Sequence, residues 1–301
     1  MSVSALKKLG VFCAILLAAW LFTLYHRIPH NKAPYVKALD QAQRIEIARN
    51  NRQVVLMKKG KDWTVAGGVA GPFFAIEEDR WRTLQSGLRD LKLEDVISER
   101  ADRAAEFEVD ETSGTRVRLL DAHNAALVDG VFGKQASDAL HIYFRYADRP
   151  TVYLARGLFR DDLVGADLNG WRSHALTTAS EDAVTAFKIA TRHGAAEVRQ
   201  SSPTWTVNGQ PADADKVNTW LGAFAHLRAD DFADASSSGS IALNEATLSA
   251  TTAGGTETLR VGPLDSKLKR YAVAAPDGRI AWVSEPHMAP LLLAPSDLRK
   301  K

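Results

Sequence analysis

The pattern of apolar and polar positions predicts a similar series of secondary-structure elements twice along the chain, in a shorter form the second time. Alternation with a period of two indicates strands, and apolar residues spaced three or four apart indicate a helix. In the first series the predicted strands are residues 45–48, 53–58, 62–66, 116–120, 126–132, 140–146 and 151–155, with a helix at residues 77–93. In the second they are residues 187–190, 205–207, 247–250, 257–261, 270–274 and 280–284, with a helix at residues 215–227. The repeated order indicates an internal duplication.

Matching segments of the two series lie at fixed offsets. IEIA at residues 45–48 matches FKIA at residues 187–190, and the Trp-Thr-Val segments that begin at Trp63 and Trp205 keep the same offset of 142 residues. DRWRT, which begins at Asp79, matches DKVNT at an offset of 136. The second copy is therefore six residues shorter, and the deletion falls between the third strand and the helix.

An uncharged run of 17 residues, residues 9–25, lies close to the start of the chain. At about 1.5 Å per residue its length is at the lower end for a helix that spans a hydrocarbon core of about 30 Å. A cleaved signal peptide is the alternative, but the run ends at Tyr25 without the small residues of a cleavage site. We predict an uncleaved anchor in the bacterial inner membrane, with the body in the periplasm, because a long domain after a short tail is usually exported.

Four parts follow from these patterns, and together they predict an α+β fold. Residues 1–28 are the transmembrane anchor, and the proline-containing residues 29–43 are a spacer. Residues 44–185 form the first α+β repeat and residues 186–301 the second. Each repeat is expected to contain an antiparallel sheet with one packed helix.

Charge and cysteine content narrow the classes of function. Residues 1–28 contain three of the 38 basic residues and none of the 36 acidic ones, so the rest of the chain has a net charge of −1. A basic field for nucleic acid is therefore absent. The only cysteine, Cys13, lies within the predicted anchor, so no disulfide can form within the chain.

Motifs for catalysis, nucleotide binding and metal binding are absent from the sequence. The eight histidines form no H-E-x-x-H motif, and neither G-x-S-x-G nor a P-loop occurs. Asp213 and Asp215 lack the Gly and Glu of a calcium loop, so one of them is better interpreted as a helix N-cap. Trp63 and Trp205 occupy equivalent strand positions and are predicted to pack in the two cores. We therefore predict no catalytic, cofactor-binding or metal-binding residue.

Residues that differ between the copies are the best candidates for function, because the shared scaffold explains the matched ones. These candidates are Arg145, Arg149, Arg156, Arg160, Trp171 and Arg172. The predicted interaction surface consists of Arg156, Arg160, Trp171 and Arg172. Since ligand sites favour domain interfaces, we expect a pocket near this joining segment and not inside either copy.

The spacing of strand, helix and hairpin residues also resembles a known family. In the first copy the matching positions are Ile45, Ile47, Trp63, Thr64, Trp81, Leu88, Leu91, Phe132-Gly133, Tyr143 and Val152-Tyr153, followed by Trp171-Arg172. In the second copy they are Trp205, Leu227, Val261-Gly262 and Tyr271. Over most of residues 44–290 the chain resembles the membrane-anchored bacterial Domain of Unknown Function "forty-three-forty" family. The resemblance implies a periplasmic protein, often encoded beside a gliding-motility-type ABC transporter permease, and carries over no catalytic residue.

These observations favour a non-enzymatic accessory or binding module of an envelope ABC transport system. The expected partners are the inner membrane, through residues 9–25, and an ABC transporter permease or other envelope proteins. A self-standing envelope scaffold and an enzyme of unrecognised type are the two alternatives. Neighbouring permease and ATPase genes would favour the first hypothesis, and a pocket with converging polar groups would favour an enzyme.

Overall fold

Two antiparallel sheets of nine strands each, with a few helices, make the fold mostly β. The computed structural model describes residues 34–163, 167–192, 194–201, 204–233 and 239–300, together with Leu16. The chain divides into two structural units between Ser173 and His174, so residues 174–185 belong to the second unit. Apart from Leu16, the predicted anchor at residues 1–28 lies outside the described residues. Within the described ranges, no helix is long and apolar enough to cross a membrane.

The first unit contains nine strands and five short or medium helices among its described residues. Its strands are β1 Arg44–Arg49, β2 Arg52–Lys59, β3 Asp62–Ala66, β4 Phe74–Ala75, β5 Lys92–Ser98, β6 Thr115–Leu120, β7 Ala126–Gln135, β8 His141–Tyr146 and β9 Val152–Arg156. Its helices are α1 Pro34–Gln41, α2 Glu78–Asp90, the 3₁₀-helix Ala101–Phe107, α3 Arg160–Leu163 and α4 Leu168–Trp171. The sheet has the order β4-β3-β2-β1-β6-β7-β8-β9-β5.

The second unit repeats this strand order. Its strands are β10 Ala186–Thr191, β11 Gly194–Ser201, β12 Thr204–Val207, β13 Gln210–Pro211, β14 Asp231–Phe232, β15 Ala246–Thr252, β16 Gly255–Asp265, β17 Arg270–Ala274 and β18 Ile280–Ser284. Its described helices are the 3₁₀-helix Glu181–Ala183, α5 Ala214–Ala225 and α6 Glu285–Met288. The order β13-β12-β11-β10-β15-β16-β17-β18-β14 places each strand where its counterpart lies in the first sheet. The predicted repeated architecture is confirmed.

The register of the strands reproduces the sequence offsets. β1 pairs with β2 through Ile45 and Leu56, and β10 pairs with β11 through the residues 142 positions later, Phe187 and Val198. The turn between β3 and β4 encloses residues 66–73, whereas the turn between β12 and β13 encloses only residues 208–209. The six-residue deletion therefore falls entirely in the loop before the second long helix, as predicted.

One long helix covers the apolar face of each sheet. In α2 the residues Trp81 and Leu84 are buried, and the equivalent residues of α5 are Val217 and Trp220. The large indole has thus moved one helical turn along the helix. In the second unit it stacks on Phe187 of the central strand with ring centroids 3.9 Å apart. The two cores therefore share one backbone arrangement but place their large side chains at different positions. Such exchanges are compatible with close packing when the total volume is conserved.

The matched tryptophans and the predicted N-cap lie at the margins of these cores. Trp63 is partly buried, with its ring 4.7 Å from that of Trp81, and Trp205 is partly buried 6.2 Å from Phe187. Asp213 precedes α5, and its carboxylate accepts hydrogen bonds from the next helical amides, those of Asp215 and Lys216, at 3.0 and 3.2 Å. The N-cap prediction is confirmed, because these bonds satisfy donors that the helix itself cannot.

Two interpretations of local sequence are corrected by the structure. Residues 34–42 are not part of a spacer, because α1 and the residue after it bury Tyr35, Leu39 and Ala42 in the first core. The helix predicted at residues 77–93 ends at Asp90, and β5 begins two residues later. Leu91 and Leu93 fit both a helical stripe and a strand, so their periodicity alone did not separate the two.

The other face of the first sheet is partly covered by the chain that follows β5. Phe107 ends the 3₁₀-helix and, with Val109, packs on Val131 of β7 and Val152 of β9. Tyr143 lies against this small cluster, with its ring 4.8 Å from that of Phe107. The remainder of this face carries a mixture of apolar residues, such as the buried Val55, and charged ones, such as Glu46 and Arg118.

Matched glycines mark a bulge in the longest strand of each sheet. The register shifts between Phe132 and Gln135 in β7 and at the equivalent place, after Val261, in β16. A Cβ at Gly133 would overlap the carbonyl oxygen of Phe107, and one at Gly262 would overlap that of Ala242. In both units, therefore, glycine lets the chain that crosses the sheet approach the backbone closely.

His141 at the start of β8 bridges two carboxylates. Its Nδ1 lies 2.5 Å from Asp138 Oδ2 in the turn before β8, and its Nε2 lies 2.9 Å from Glu94 Oε2 on the edge strand β5. Two carboxylates can both accept from this ring only when it is protonated. The hydrogen bond to Asp138 is the main cause of a pKa raised above that of an ordinary histidine. The bridge fastens the edge strand to the β7–β8 turn.

We expect Gly133→Ala and Gly262→Ala each to lower the free energy of unfolding by about 1–3 kcal/mol or more, because the new methyl group overlaps a backbone carbonyl oxygen. Urea unfolding of the full chain measures the change. Gly68→Ala is the matched control, since a Cβ there meets nothing within 4 Å. Its change should stay within about 0.5 kcal/mol. Equal stability of all three variants would contradict the close approach.

His141→Gln should remove a contribution to stability that depends on pH. Since the folded pKa is raised, this contribution is fully present below the unfolded histidine pKa of about 6.5 and is lost as pH rises through the folded value. The stability difference between parent and variant, from urea unfolding between pH 5 and 9, should therefore shrink with rising pH. His123→Gln controls for loss of an exposed imidazole. A difference independent of pH would show that the bridge is not formed.

Candidate functional site

A polar groove of about 450 Å³ lies on the partly open face of the first sheet. It is bounded by the β1–β2 hairpin turn on one side and by the loop before β6 on the other. The residues that line it are Ala48, Arg49, Asn50, Asn51, Arg52, Gln53, Asp110, Glu111, Gly114, Arg116, Val131, Arg145 and Ala147. Four arginines and two acids give this lining a net charge of +2. We call it the arginine groove.

The floor of the arginine groove is one row of residues across neighbouring strands. Ala48 of β1 pairs with Arg116 of β6, Arg116 with Val131 of β7, and Val131 with Arg145 of β8. Because side chains alternate along a strand, these four project from the face opposite the apolar core. The small side chains of Ala48 and Val131 leave the space that the longer neighbours enclose.

Arg49 and Arg52 flank the turn that forms the hairpin wall. By the alternation that places Ala48 in the floor row, their side chains lie on the opposite, core side of the sheet. The two residues are directly paired across the turn, and Asn50 and Asn51 between them have φ values of 47° and 61°. A two-residue turn with two left-handed residues matches the twist of the strands, and asparagine tolerates that conformation well. Neither arginine has an ion pair with a described residue, and the buried Nε of Arg49 has no hydrogen-bond partner among them. Two cations thus stand side by side without a counter-charge.

The opposite wall is a tight loop organised by Asp110. Its carboxylate accepts hydrogen bonds from the backbone amides of Thr112 and Ser113 at 2.9 and 3.1 Å, and from both of their hydroxyls. These bonds, the Ser113 hydroxyl first, hold the pKa of Asp110 far below its usual value. The carboxylate is therefore ionised at neutral pH and committed to its own loop. Glu111 is exposed at the rim.

Arg145 connects the loop before β6 to the turn between β8 and β9. Its Nε donates to the carbonyl oxygen of Val109 at 3.0 Å, and its Nη1 donates to those of Tyr146, Ala147 and Arg149 at 3.1–3.2 Å. These acceptors are neutral, so they fix the guanidinium without balancing its charge. No carboxylate of the described chain forms an ion pair with it.

Arg116 differs from the other three arginines because its charge is already balanced. Its guanidinium makes a bidentate pair with Asp129 at 2.8 and 2.7 Å. Asp129 in turn lies 3.5 Å from Arg118, which reaches Glu46 of the central strand at 3.0 Å. The groove therefore borders a ladder of paired charges, and Arg145 at the far end of the floor row stands outside that ladder.

The second copy lacks this set of cations. The residues equivalent to Arg49, Arg52, Arg116 and Arg145 are Thr191, Gly194, Thr247 and Ala274. A single arginine, Arg260, occupies the position of Val131 in the second floor row. Since the second sheet forms the same strand order without them, the arginines are not required for that strand order.

The residues predicted to form an interaction surface lie elsewhere in the first unit. Arg156 ends β9 and is exposed, and Arg160 begins α3 with its Nη2 donating to Glu108 at 2.7 Å. Trp171 is fully buried, with the Arg80 guanidinium 4.6 Å from its ring, and Arg172 is 8% exposed. Because Trp171 and Arg172 are buried, they belong to the packed interior of the unit. Only Arg156 and Arg160 of the predicted surface remain accessible. None of the four lines the arginine groove, which lies inside the first copy and not near the joining segment as expected.

Sequence reasoning singled out Arg145 but missed Arg49, Arg52 and Arg116. The available signal was the comparison of the two copies, position by position, over the first hairpin and the strand after the 3₁₀-helix. Arg49 and Arg52 lie at the offset of 142 residues already found, whereas Arg116 needs the offset after the helix, which differs from those of the earlier segments. The pairing of the strands in the structure gives this offset directly.

Groups of three or more His, Cys, Asp or Glu that could hold a metal ion are absent from the part of the chain that the structure describes. Another cavity, of about 600 Å³, lies beside Trp205 and Asp213 in the second unit. The carboxylate of Asp213 there caps α5, so that acid is committed to the helix.

Comparison with known proteins gives one relationship. The model of a family described as a domain of unknown function (DUF4340) matches residues 63–250, more than half of the chain. The comparison with curated proteins found no match, and the comparison with solved structures found none either. The matched residues run from β3 of the first unit to β15 of the second and so include most of the duplicated region. The chain therefore belongs to the DUF4340 family.

Proposed function

We propose that this protein is a non-enzymatic, membrane-anchored accessory or binding module of a bacterial envelope ABC transport system, with its body in the periplasm. The observation that carries the binding role is the arginine groove. Among the described residues, no carboxylate forms an ion pair with Arg145 in the floor row, and the second unit forms the same strand order with an alanine in its place. Unbalanced cations that the fold does not need are explained by a ligand or partner that balances them.

The chemistry of the groove favours binding over catalysis. A general base needs a pKa near the working pH, and Asp110 is held far from that range by its own loop. The guanidinium groups remain protonated throughout the physiological range and act as fixed donors. Such donors orient and hold an anionic partner.

The transport context rests on the family and on the uncharged run at residues 9–25. The resemblance to this family implies a place beside a gliding-motility-type ABC permease. An anchored body next to a permease has a high local concentration at the transporter, so a modest affinity is sufficient for association.

Fractionation tests the placement of the protein. The full chain should sediment with inner membranes and keep residues 1–28, and added protease should digest the body only after the outer membrane is permeabilised. A body released by osmotic shock, with a mature N-terminus beyond Tyr25, would contradict the anchor. A cytosolic fusion of residues 29–301 serves as the control for protease access.

Co-purification tests the transport role. A tagged full chain extracted in mild detergent should retain the permease and ATPase encoded beside its gene in near-stoichiometric amounts. An anchor fused to an unrelated domain is the matched control and should retain neither. Absence of such genes, or purification of the chain without their products, would overturn the transport role.

A further inference from the structure

We propose that the cavity beside Trp205 in the second unit binds a saccharide, with one face of a sugar ring stacked on the indole. The cavity has a volume of about 600 Å³, and we call it the Trp205 cavity. The residues that line it are Thr204, Trp205, Thr206, Pro211, Ala212, Asp213, Ala214, Asp215 and Lys300. This site is separate from the arginine groove, and the inference does not rest on the proposed transport role.

In the first unit the equivalent tryptophan, Trp63, is packed among large neighbours. Its ring lies 4.7 Å from that of Trp81 on the long helix. Phe74 and Ile76 belong to the same core, and the register that pairs Thr64 with Ala75 places Ile76 opposite Trp63. These neighbours fix Trp63 at the margin of the first core.

The second unit replaces each of these neighbours by a smaller or a polar residue. The residues equivalent to Phe74, Ile76 and Trp81 are Gln210, Ala212 and Val217. The backbone amide of Ala212 donates to the carbonyl oxygen of Trp205 at 3.0 Å, so these two residues are neighbours across the strand pair and share one face of the sheet. The volume lost at Ala212 and Val217 therefore lies next to the indole, where the Trp205 cavity is found.

Trp205 keeps contact surface and a polar group for a ligand. Its side chain is partly buried, with its ring centroid 6.2 Å from that of Phe187. Its indole N–H makes no hydrogen bond with a described residue, whereas that of the fully buried Trp220 donates to the carbonyl oxygen of Leu291 at 3.2 Å. A buried indole N–H usually has such a partner. Trp205 is thus held on one side by the core and open on the other.

The chemistry of the lining favours a sugar ring over other flat ligands. The face of an indole carries partial negative charge and attracts the C–H groups on one face of a sugar ring, while hydroxyl groups at the rim of the ring pair with polar side chains. Asp215 is exposed at the start of α5 and Lys300 is exposed opposite it, so an acceptor and a donor are both present. With Asp213, the lining carries two carboxylates and one ammonium group, and this net negative charge disfavours a nucleotide.

A neighbouring cavity extends the site along the edge of the second sheet. It has a volume of about 520 Å³, and it shares Pro211 and Lys300 with the Trp205 cavity. Asn208, Gln210 and Arg299 complete its lining. Each volume lies within the range of roughly 300–1,000 Å³ that is usual for ligand sites. The continuous space suits a short saccharide chain better than a single sugar.

The duplication supplies matched variants for the test. Ala212→Ile introduces the residue of the first unit and should fill the space beside the indole without weakening the core. Trp205→Leu removes the stacking face, and Asp215→Asn removes the exposed acceptor charge. Trp63→Leu and Asp79→Asn make the same changes at the equivalent positions of the first unit and leave the Trp205 cavity unchanged.

Saturation-transfer NMR and titration calorimetry are carried out on the full chain in a detergent that has no sugar headgroup. The probes are chitotetraose, cellotetraose, maltotetraose and tetragalacturonate. At least one should bind at millimolar concentration or below, with saturation strongest at the ring C–H protons of one face. Trp205→Leu and Ala212→Ile should each weaken that binding by about tenfold or more, and Asp215→Asn by less. Trp63→Leu and Asp79→Asn should bind like the parent.

The inference is overturned if none of the four saccharides binds at millimolar concentration. Equal affinity of the parent and of Ala212→Ile or Trp205→Leu variants that melt at the parent temperature would overturn it as well. So would an equal loss of affinity in Trp63→Leu. Binding of adenosine monophosphate or tetramethylammonium without any saccharide would assign the Trp205 cavity to a nucleobase or a cation instead.

Discussion

Alternation of side chains along the central strand of each sheet is the constraint on which the rest of the structure depends. In β1, Ile45 and Ile47 are fully buried beneath the long helix, while Glu46 between them faces the ladder of charges. A slip of one residue would place that carboxylate in the core and the isoleucines on the charged face. The hydrophobic face fixes the register, and the register determines which residues meet in the floor row of the arginine groove.

Duplication separates the requirements of the fold from those of function. Features shared by both units, such as the bulge glycines Gly133 and Gly262, are explained by backbone approach alone. Features that differ fall into two kinds. The exchange between Trp81 and Trp220 redistributes volume within a core, whereas the loss of Arg49 and Arg145 in the second copy changes charge at a surface. The second kind changes what the surface can bind.

Electrostatics gives the arginine groove its chemical character. Arg116 beside it is paired with Asp129, which shows that acids are placed where this sheet needs to balance a cation. Arg49, Arg52 and Arg145 have no such partner among the described residues, although Asp110 and Glu111 stand on the facing wall. The charge is fixed in place by a rigid turn and by backbone carbonyls. Cations held in place in this way favour an anionic group presented by another molecule.

The sequence by itself determined the duplication, the main strands, the two long helices and the position of the six-residue deletion. These features are local or periodic, so hydrophobic spacing and fixed offsets report them directly. Tertiary packing determined the conformation of residues 34–42 and of the edge strand β5. Short apolar stretches are compatible with more than one secondary structure, and only their packing in the core distinguishes between them. The arginine groove likewise depends on the tertiary structure. The residues of its floor row come from β1, β6, β7 and β8, separated by up to 97 positions, and only antiparallel pairing places them in one row. Burial likewise placed Trp171 in the core, since a tryptophan beside an arginine carries no local signal that distinguishes a packed residue from an exposed one.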